Sequence, residues 1–189
     1  QGRSHSLTGQ PQSAHASHYV RRLRLPLSSA LALMRARGEF QYMRKLIFLD
    51  FDGVLHPDGI ATFSRVSLLE EYLLKIPDAE IVITSTWRET HNLDELRNFF
   101  SEPFRSRIIG ITPALEDGYD TGGRQLEIES FLDSAGLTVE NSSWVAVDDM
   151  LHFFKDGCPH LILTDSSKGF SEINGHLLLQ WYTNEDVKG

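Results

Sequence analysis

Cysteine is nearly absent: Cys158 stands alone in 189 residues. One thiol allows no intrachain disulfide and no cysteine-rich zinc site, and it fits a reducing compartment. No apolar run approaches the roughly 18 residues that span a bilayer, and the longest ones have the length of buried strands. A positive balance is also missing, since the net charge is −8. That charge is unevenly spread. Residues 1–42 carry Arg3, Arg21, Arg22, Arg24, Arg35 and Arg37 against Glu39, a balance of +5 that leaves −13 for the remainder. An acidic body excludes strong non-specific nucleic-acid binding, which needs a basic footprint, but leaves room for a nucleic-acid substrate held locally.

What is present reads as one globular domain behind an extension. The hydrophobic content of 41% and charged content of 23% are ordinary for a soluble chain. Residues 1–17 are rich in Ser, Gln, His and Gly, a composition expected to be disordered. Residues 19–37 fit a basic, partly apolar helix interrupted at Pro26. The 1–42 segment could be a targeting or membrane-surface arm, a partner-binding arm, or vector-derived sequence. The Gln1-Gly2 start, and Met43 one residue before the first strong strand, favour the last. The domain is therefore expected over 43–189, in the cytoplasm.

From Arg44 on, strand and helix signals alternate. Continuous apolar runs predict strands at Lys45–Leu49, Ile81–Ile83, Arg107–Ile111, Trp144–Val147 and His160–Leu163. Ser67 and Glu70 form a capping-box pattern ahead of Leu68, Leu69, Tyr72, Leu73 and Ile76, and Pro77 ends that helix. Asn92 and Glu95 open a second, carrying Leu93, Leu96, Phe99 and Phe100. Ile128, Phe131, Leu132 and Ala135 mark a third, closed near Gly136, and Ser171 caps a last one with Ile173, Leu177, Leu178 and Trp181. The alternation predicts an α/β fold, a Rossmann-like parallel sheet of about five strands with helices on both faces. In such folds the ligand site lies beyond the carboxyl ends of the strands.

Three strands run straight into polar clusters: Asp50-Phe51-Asp52-Gly53, Thr84-Ser85-Thr86-Trp87-Arg88 and Asp148-Asp149. Four carboxylates gathered in one crevice repel one another, and desolvation adds to the cost. A hard divalent cation such as Mg2+ removes most of it, and the lack of His and Cys in the clusters argues against zinc. Gly53 lets the chain turn so that Asp52 can leave the face of Asp50. One carboxylate could then attack phosphorus while the other handles protons. A structural turn or a glycosyltransferase-type metal site explains the acidic pair but neither Ser85 nor Asp149. An EF-hand loop fails on spacing, and a receiver domain fails on the order of its acids.

The Leu49–Leu55 segment resembles the first motif of the haloacid dehalogenase (HAD) superfamily, Ile83-Thr84-Ser85 the second, and Val147-Asp148-Asp149 the acidic fourth, in the family's order over residues 44–170. The contexts Ser85–Arg88 and Trp144–Asp149 look most like HAD domains linked to Swiss Army Knife RNA-repair proteins. The resemblance implies a phosphatase in which Asp50 is the nucleophile and forms an aspartyl-phosphate, and Asp52 is acid and then base. It implies magnesium on Asp50, the Asp52 carbonyl and Asp149, with Asp148 beside them. Ser85, or less favourably Thr84, would bond the phosphoryl group. Where the family has a lysine, this chain offers Arg124, with Lys168 as the alternative. Arginine is not a simple swap for lysine.

The segments between the motifs leave no room for a cap domain, so the site is expected to be open, sheltered only by a flap at residues 56–59. An open site suits a phosphorylated macromolecule, such as a nucleic-acid phosphate end. A non-catalytic phospho-ligand module or a phosphotransferase of the same fold are the alternatives. Several residues have two readings. Ser85 caps a turn or binds phosphate. Trp87 is core or a wall for an aromatic substrate group. Arg88 is an ion-pair partner or a phosphate contact. Arg124 pairs with Glu127 or Glu129 or faces the site. His56 and His152 read as local hydrogen-bonding residues rather than catalysts.

Overall fold

The computed structural model describes residues 43–57, 60–116, 118 and 120–186. The expectations for residues 1–42 and for the flap tip at 58 and 59 lie outside them. Five strands, β1 (Arg44–Leu49), β2 (Glu80–Ile83), β3 (Ile108–Ile111), β4 (Ser142–Asp148) and β5 (Leu161–Leu163), form one parallel sheet in the order β3-β2-β1-β4-β5. The helices are α1 (Val66–Leu73), α2 (Leu93–Arg97), α3 (Glu102–Arg105), α4 (Gly123–Ser134) and α5 (Glu172–Asp186). No domain is inserted between them, and none of the described helices is long and apolar enough to cross a membrane.

The central strands are apolar along their middles because both faces of the sheet are covered. Leu46, Phe48, Val82 and Ala146 pack with Ile128, Leu132 and Phe154 in one core. Ile47, Leu49, Ile81, Ile83, Val145 and Val147 pack with Leu69, Leu73 and Leu178 in the other. Phe48 is fully buried, edge-on to Phe131 at 5.7 Å and to Trp144 at 5.8 Å. Truncating it to Ala would cost about 3–5 kcal/mol.

Two helix starts differ in instructive ways. Asn92 accepts the Asp94 and Glu95 N–H groups while the Glu95 carboxylate takes the Asn92 N–H, the capping box expected from sequence. The α2 helix is short, however, and Phe99 and Phe100 lie past its end, before the unexpected turn of α3. Ser67 does not cap α1. The helix begins at Val66, whose N–H bonds the Phe63 carbonyl, so Ser67 lies inside the first turn. Glu70 accepts from the Ser101 N–H and hydroxyl instead, at 2.7 and 2.8 Å. Arg107 precedes β3 rather than joining it, and its guanidinium closes the end of α1 on the carbonyls of Leu73, Ile76 and Ala79. At α5 the Asn174 N–H bonds the Ser171 hydroxyl, 3.4 Å away.

The register positions the site. Leu49 of β1 lies level with Ile83 of β2 and with Val147 of β4. The Asp50 N–H continues the ladder to the Val147 carbonyl, and the Thr84 N–H to the Leu49 carbonyl. The three polar clusters therefore leave the sheet side by side.

Candidate active site

Asp50 is 4% exposed, and the Phe51 N–H donates to its Oδ1 at 2.8 Å. Burial raises its pKa, against the opposing pull of the Arg124 charge and of the Ser85 hydroxyl bonded to it. Ser85 is fully buried, and its Oγ also receives the Trp87 N–H at the start of a 3-10 turn over Thr86–Glu89. It thus caps the turn, as one of its two readings had it, and also reaches the Asp50 carboxylate. Thr84 points elsewhere, its hydroxyl taking a hydrogen bond from Thr112 at 3.2 Å.

Carboxylate oxygens of Asp50, Asp148 and Asp149 all lie within 4.8 Å of one another. Burial, with Asp50 next to it, pushes Asp148 up to about 8. Burial and Asp50 also push Asp149 up to about 6. One Asp148 oxygen accepts the Met150 N–H at 2.8 Å, and the other is buried without a hydrogen bond. Gly53 belongs to the same arrangement. Its φ of +67° favours glycine, and a Cβ there would overlap the Asp149 carboxylate. The Thr164 hydroxyl after β5 fixes the Gly53 carbonyl at 2.9 Å. A buried orphan oxygen, three carboxyls held above their ordinary range and an all-oxygen donor set fit a hard divalent cation such as magnesium.

The Asp52 carboxylate stands apart from that group. Its Oδ1 meets His56 Nε2 at 2.7 Å, and its Oδ2 accepts the Trp87 indole N–H at 3.0 Å. Trp87 is therefore neither plain core nor simply a wall. His56 is the local hydrogen-bonding residue its position suggested, whereas His152 is exposed beside Phe153.

Arg124 opens α4 and is 3% exposed, with Nε 3.8 Å from Asp148 and 3.9 Å from Glu127. Its Nε and Nη1 have no hydrogen-bond partner. Lys168 is far more exposed and pairs with Asp165 at 2.6 Å. Of the two, Arg124 is the one that lies beside the acidic cluster. Arg88 is engaged elsewhere. It donates to the buried Glu127 carboxylate at 2.5 Å and to the Ser85 carbonyl at 2.8 Å. Its ion pair with Glu127 is buried rather than on the surface. Glu127 is the residue sequence reasoning placed only as a neighbour of Arg124. Its i, i+3 spacing from Arg124 was visible, but the partner 39 positions away was not.

The family described as the HAD domain in Swiss Army Knife RNA repair proteins matches residues 46–174. No curated protein and no solved structure matches the chain.

Proposed function

The chain belongs to the HAD domains of Swiss Army Knife RNA repair proteins, and from that premise we propose that it is a magnesium-dependent phosphomonoester hydrolase. The observation that carries this reading is the division of the acids. Asp50, Asp148 and Asp149 cluster around one point, while Asp52 is held off on separate donors.

Asp50 attacks phosphorus and forms an aspartyl-phosphate as the ester oxygen leaves. Asp52 gives its proton to that oxygen. In the second step Asp52 takes a proton from water as the water attacks phosphorus, and Asp50 is released. The Ser85 hydroxyl and the Arg124 guanidinium receive the phosphoryl oxygens. Asp50, Asp149 and the Asp52 carbonyl would hold magnesium, with Asp148 at their side. Bound there, the ion offsets the charge of carboxylates and phosphoryl group together.

The uncapped carboxyl end of the sheet suits a large phosphate ester, and a nucleic-acid phosphate end accords with the family. The acidic body means that such a substrate is held at its end rather than along its backbone. The test is hydrolysis of an aryl phosphate and of terminally phosphorylated oligonucleotides by the full chain, with magnesium, with EDTA and with Asp50→Asn. Release that requires magnesium and Asp50 supports the reading. Release that survives Asp50→Asn removes the nucleophile.

A further inference from the structure

We propose that His56 and Trp87 are positioning residues that clamp the Asp52 carboxylate for proton exchange with the leaving oxygen, a role that rests on the phosphatase reading. The two donors come from different loops. His56 ends the turn after β1, and Trp87 sits in the 3-10 turn after β2. They take one carboxylate oxygen each, at 2.7 and 3.0 Å.

The direction of the His56 bond follows from its surroundings. The ring is fully buried, and Nδ1 has no partner. A proton on Nδ1 would find no acceptor, so Nε2 carries it and the imidazole donates to Asp52. Asp52 itself is 43% exposed at its side chain. A carboxylate that open needs no bond for the sake of solvation, and left free it could rotate among staggered states. Two fixed N–H groups select one. An ionised carboxylate has about four acceptor sites. The clamp occupies two, and in the acid step the proton sits on a solvent-facing remaining site, from which the O–H donates to the ester oxygen. The same donors stabilise the carboxylate that remains once the proton has moved to the leaving group. They also keep this carboxylate out of the cation cluster of Asp50, Asp148 and Asp149.

The clamp is wedged in place by Phe63. Its ring stacks on Phe99 at 4.1 Å and meets His56 at 4.8 Å and Trp87 at 5.2 Å, both edge-on. Its φ of +50° is unusual for an aromatic residue, and such a conformation persists only where the surroundings impose it. Phe63 thus braces both donors.

The experiment is a series of phosphate esters, from dinitrophenyl to alkyl, assayed with magnesium as kcat/KM. That ratio ends at the transfer to Asp50 and so reports the leaving-group step. A good leaving group departs without a proton, whereas an alkoxide needs one. Trp87→Phe keeps an aromatic ring but removes the indole donor, and His56→Ala removes the other. Each variant is expected to lower kcat/KM for the alkyl ester about tenfold and to leave the dinitrophenyl ester within about twofold. His56→Gln, which retains an N–H of similar reach, is expected to restore most of the loss. The Trp87 indole proton, followed by NMR, is expected to shift in Asp52→Asn whether or not the chain turns over. Equal losses across the series, or an unmoved indole signal, overturn the clamp. If His56→Ala does not fold, Trp87→Phe still decides. A wild-type chain inactive on every ester overturns the phosphatase reading and the clamp's role with it, whereas an active one with a flat series overturns the clamp alone.

Discussion

Magnesium binding at pH 7 should expel on the order of one proton, because Asp148 still holds one there. Carboxylate oxygens within 4.8 Å of one another, at an effective dielectric near 20, repel by about 3–4 kcal/mol per ionised pair. Asp50 and Asp148 are almost fully buried, which penalises their charged forms further. The arginine beside them offsets part of this, and the net result is Asp148 at about 8 and Asp149 at about 6. At pH 7 Asp148 is about nine-tenths protonated and Asp149 about one-tenth. The ion favours both as carboxylates, Asp149 as a ligand and Asp148 as the charge beside it, so its apparent affinity should rise about tenfold per pH unit from 6 to 8 and flatten above that. Stability follows the same sign. The folded-state pKa values lie above the unfolded ones, so the cation-free protein is favoured at low pH and loses that advantage as pH rises towards 8. The thermal stabilisation by magnesium should therefore be larger at pH 8 than at pH 6. Titration calorimetry in two buffers of different ionisation heat counts the proton. Identical heats in both buffers at pH 7, with an affinity indifferent to pH, would refute the idea that these acids share one crowded charge.

Gly53→Ala should destabilise the fold by about 1–2 kcal/mol through its left-handed backbone, and should also weaken magnesium binding, since the new Cβ overlaps Asp149. Urea unfolding and calorimetry separate the two effects, and unchanged magnesium affinity would remove Asp149 from the ion's ligands. Glu127→Gln strips the charge between two buried arginines and should cost about 3 kcal/mol in urea unfolding. A loss below about 1 kcal/mol would mean the pair with Arg88 is replaceable. Lys168→Ala should change activity less than about twofold, as expected for an exposed pair. Arg124→Ala should lose about a hundredfold in kcat, and the reverse ranking would return the cationic role to Lys168.

The parts legible in the sequence are those written locally. Lys45–Leu49 and Trp144–Val147 are continuous apolar runs that end in Asp, and a parallel sheet brings such ends together whichever helices intervene. Local chemistry is a weaker guide where the surroundings decide. Asn92 and Ser67 begin the same four-residue pattern, yet only Asn92 caps, because the backbone entering α1 starts the helix at Val66. The hidden parts are pairings across the chain. Trp87 meets Asp52 from 35 positions away, and Arg88 meets Glu127 from 39. Periodicity tells which face a side chain takes, never which partner waits there.

The arginine at position 124 gains a reason from one of those hidden pairs. Its Nε sits 3.8 Å from Asp148 and 3.9 Å from Glu127, between an acid of the site and an acid of its own helix. A lysine presents one compact charge on a flexible stem, whereas a guanidinium is a planar fork that faces several acceptors at once. Glu127 is also bonded by Arg88 and by the Leu115 N–H, so it cannot rotate to follow a lysine. The fork therefore holds its Nε between the two acids while its unpartnered Nη1 remains for a phosphoryl oxygen. On this geometry Arg124→Lys should keep the positive charge and still lose activity, because the charge would no longer be held at the point where the two acids fix it.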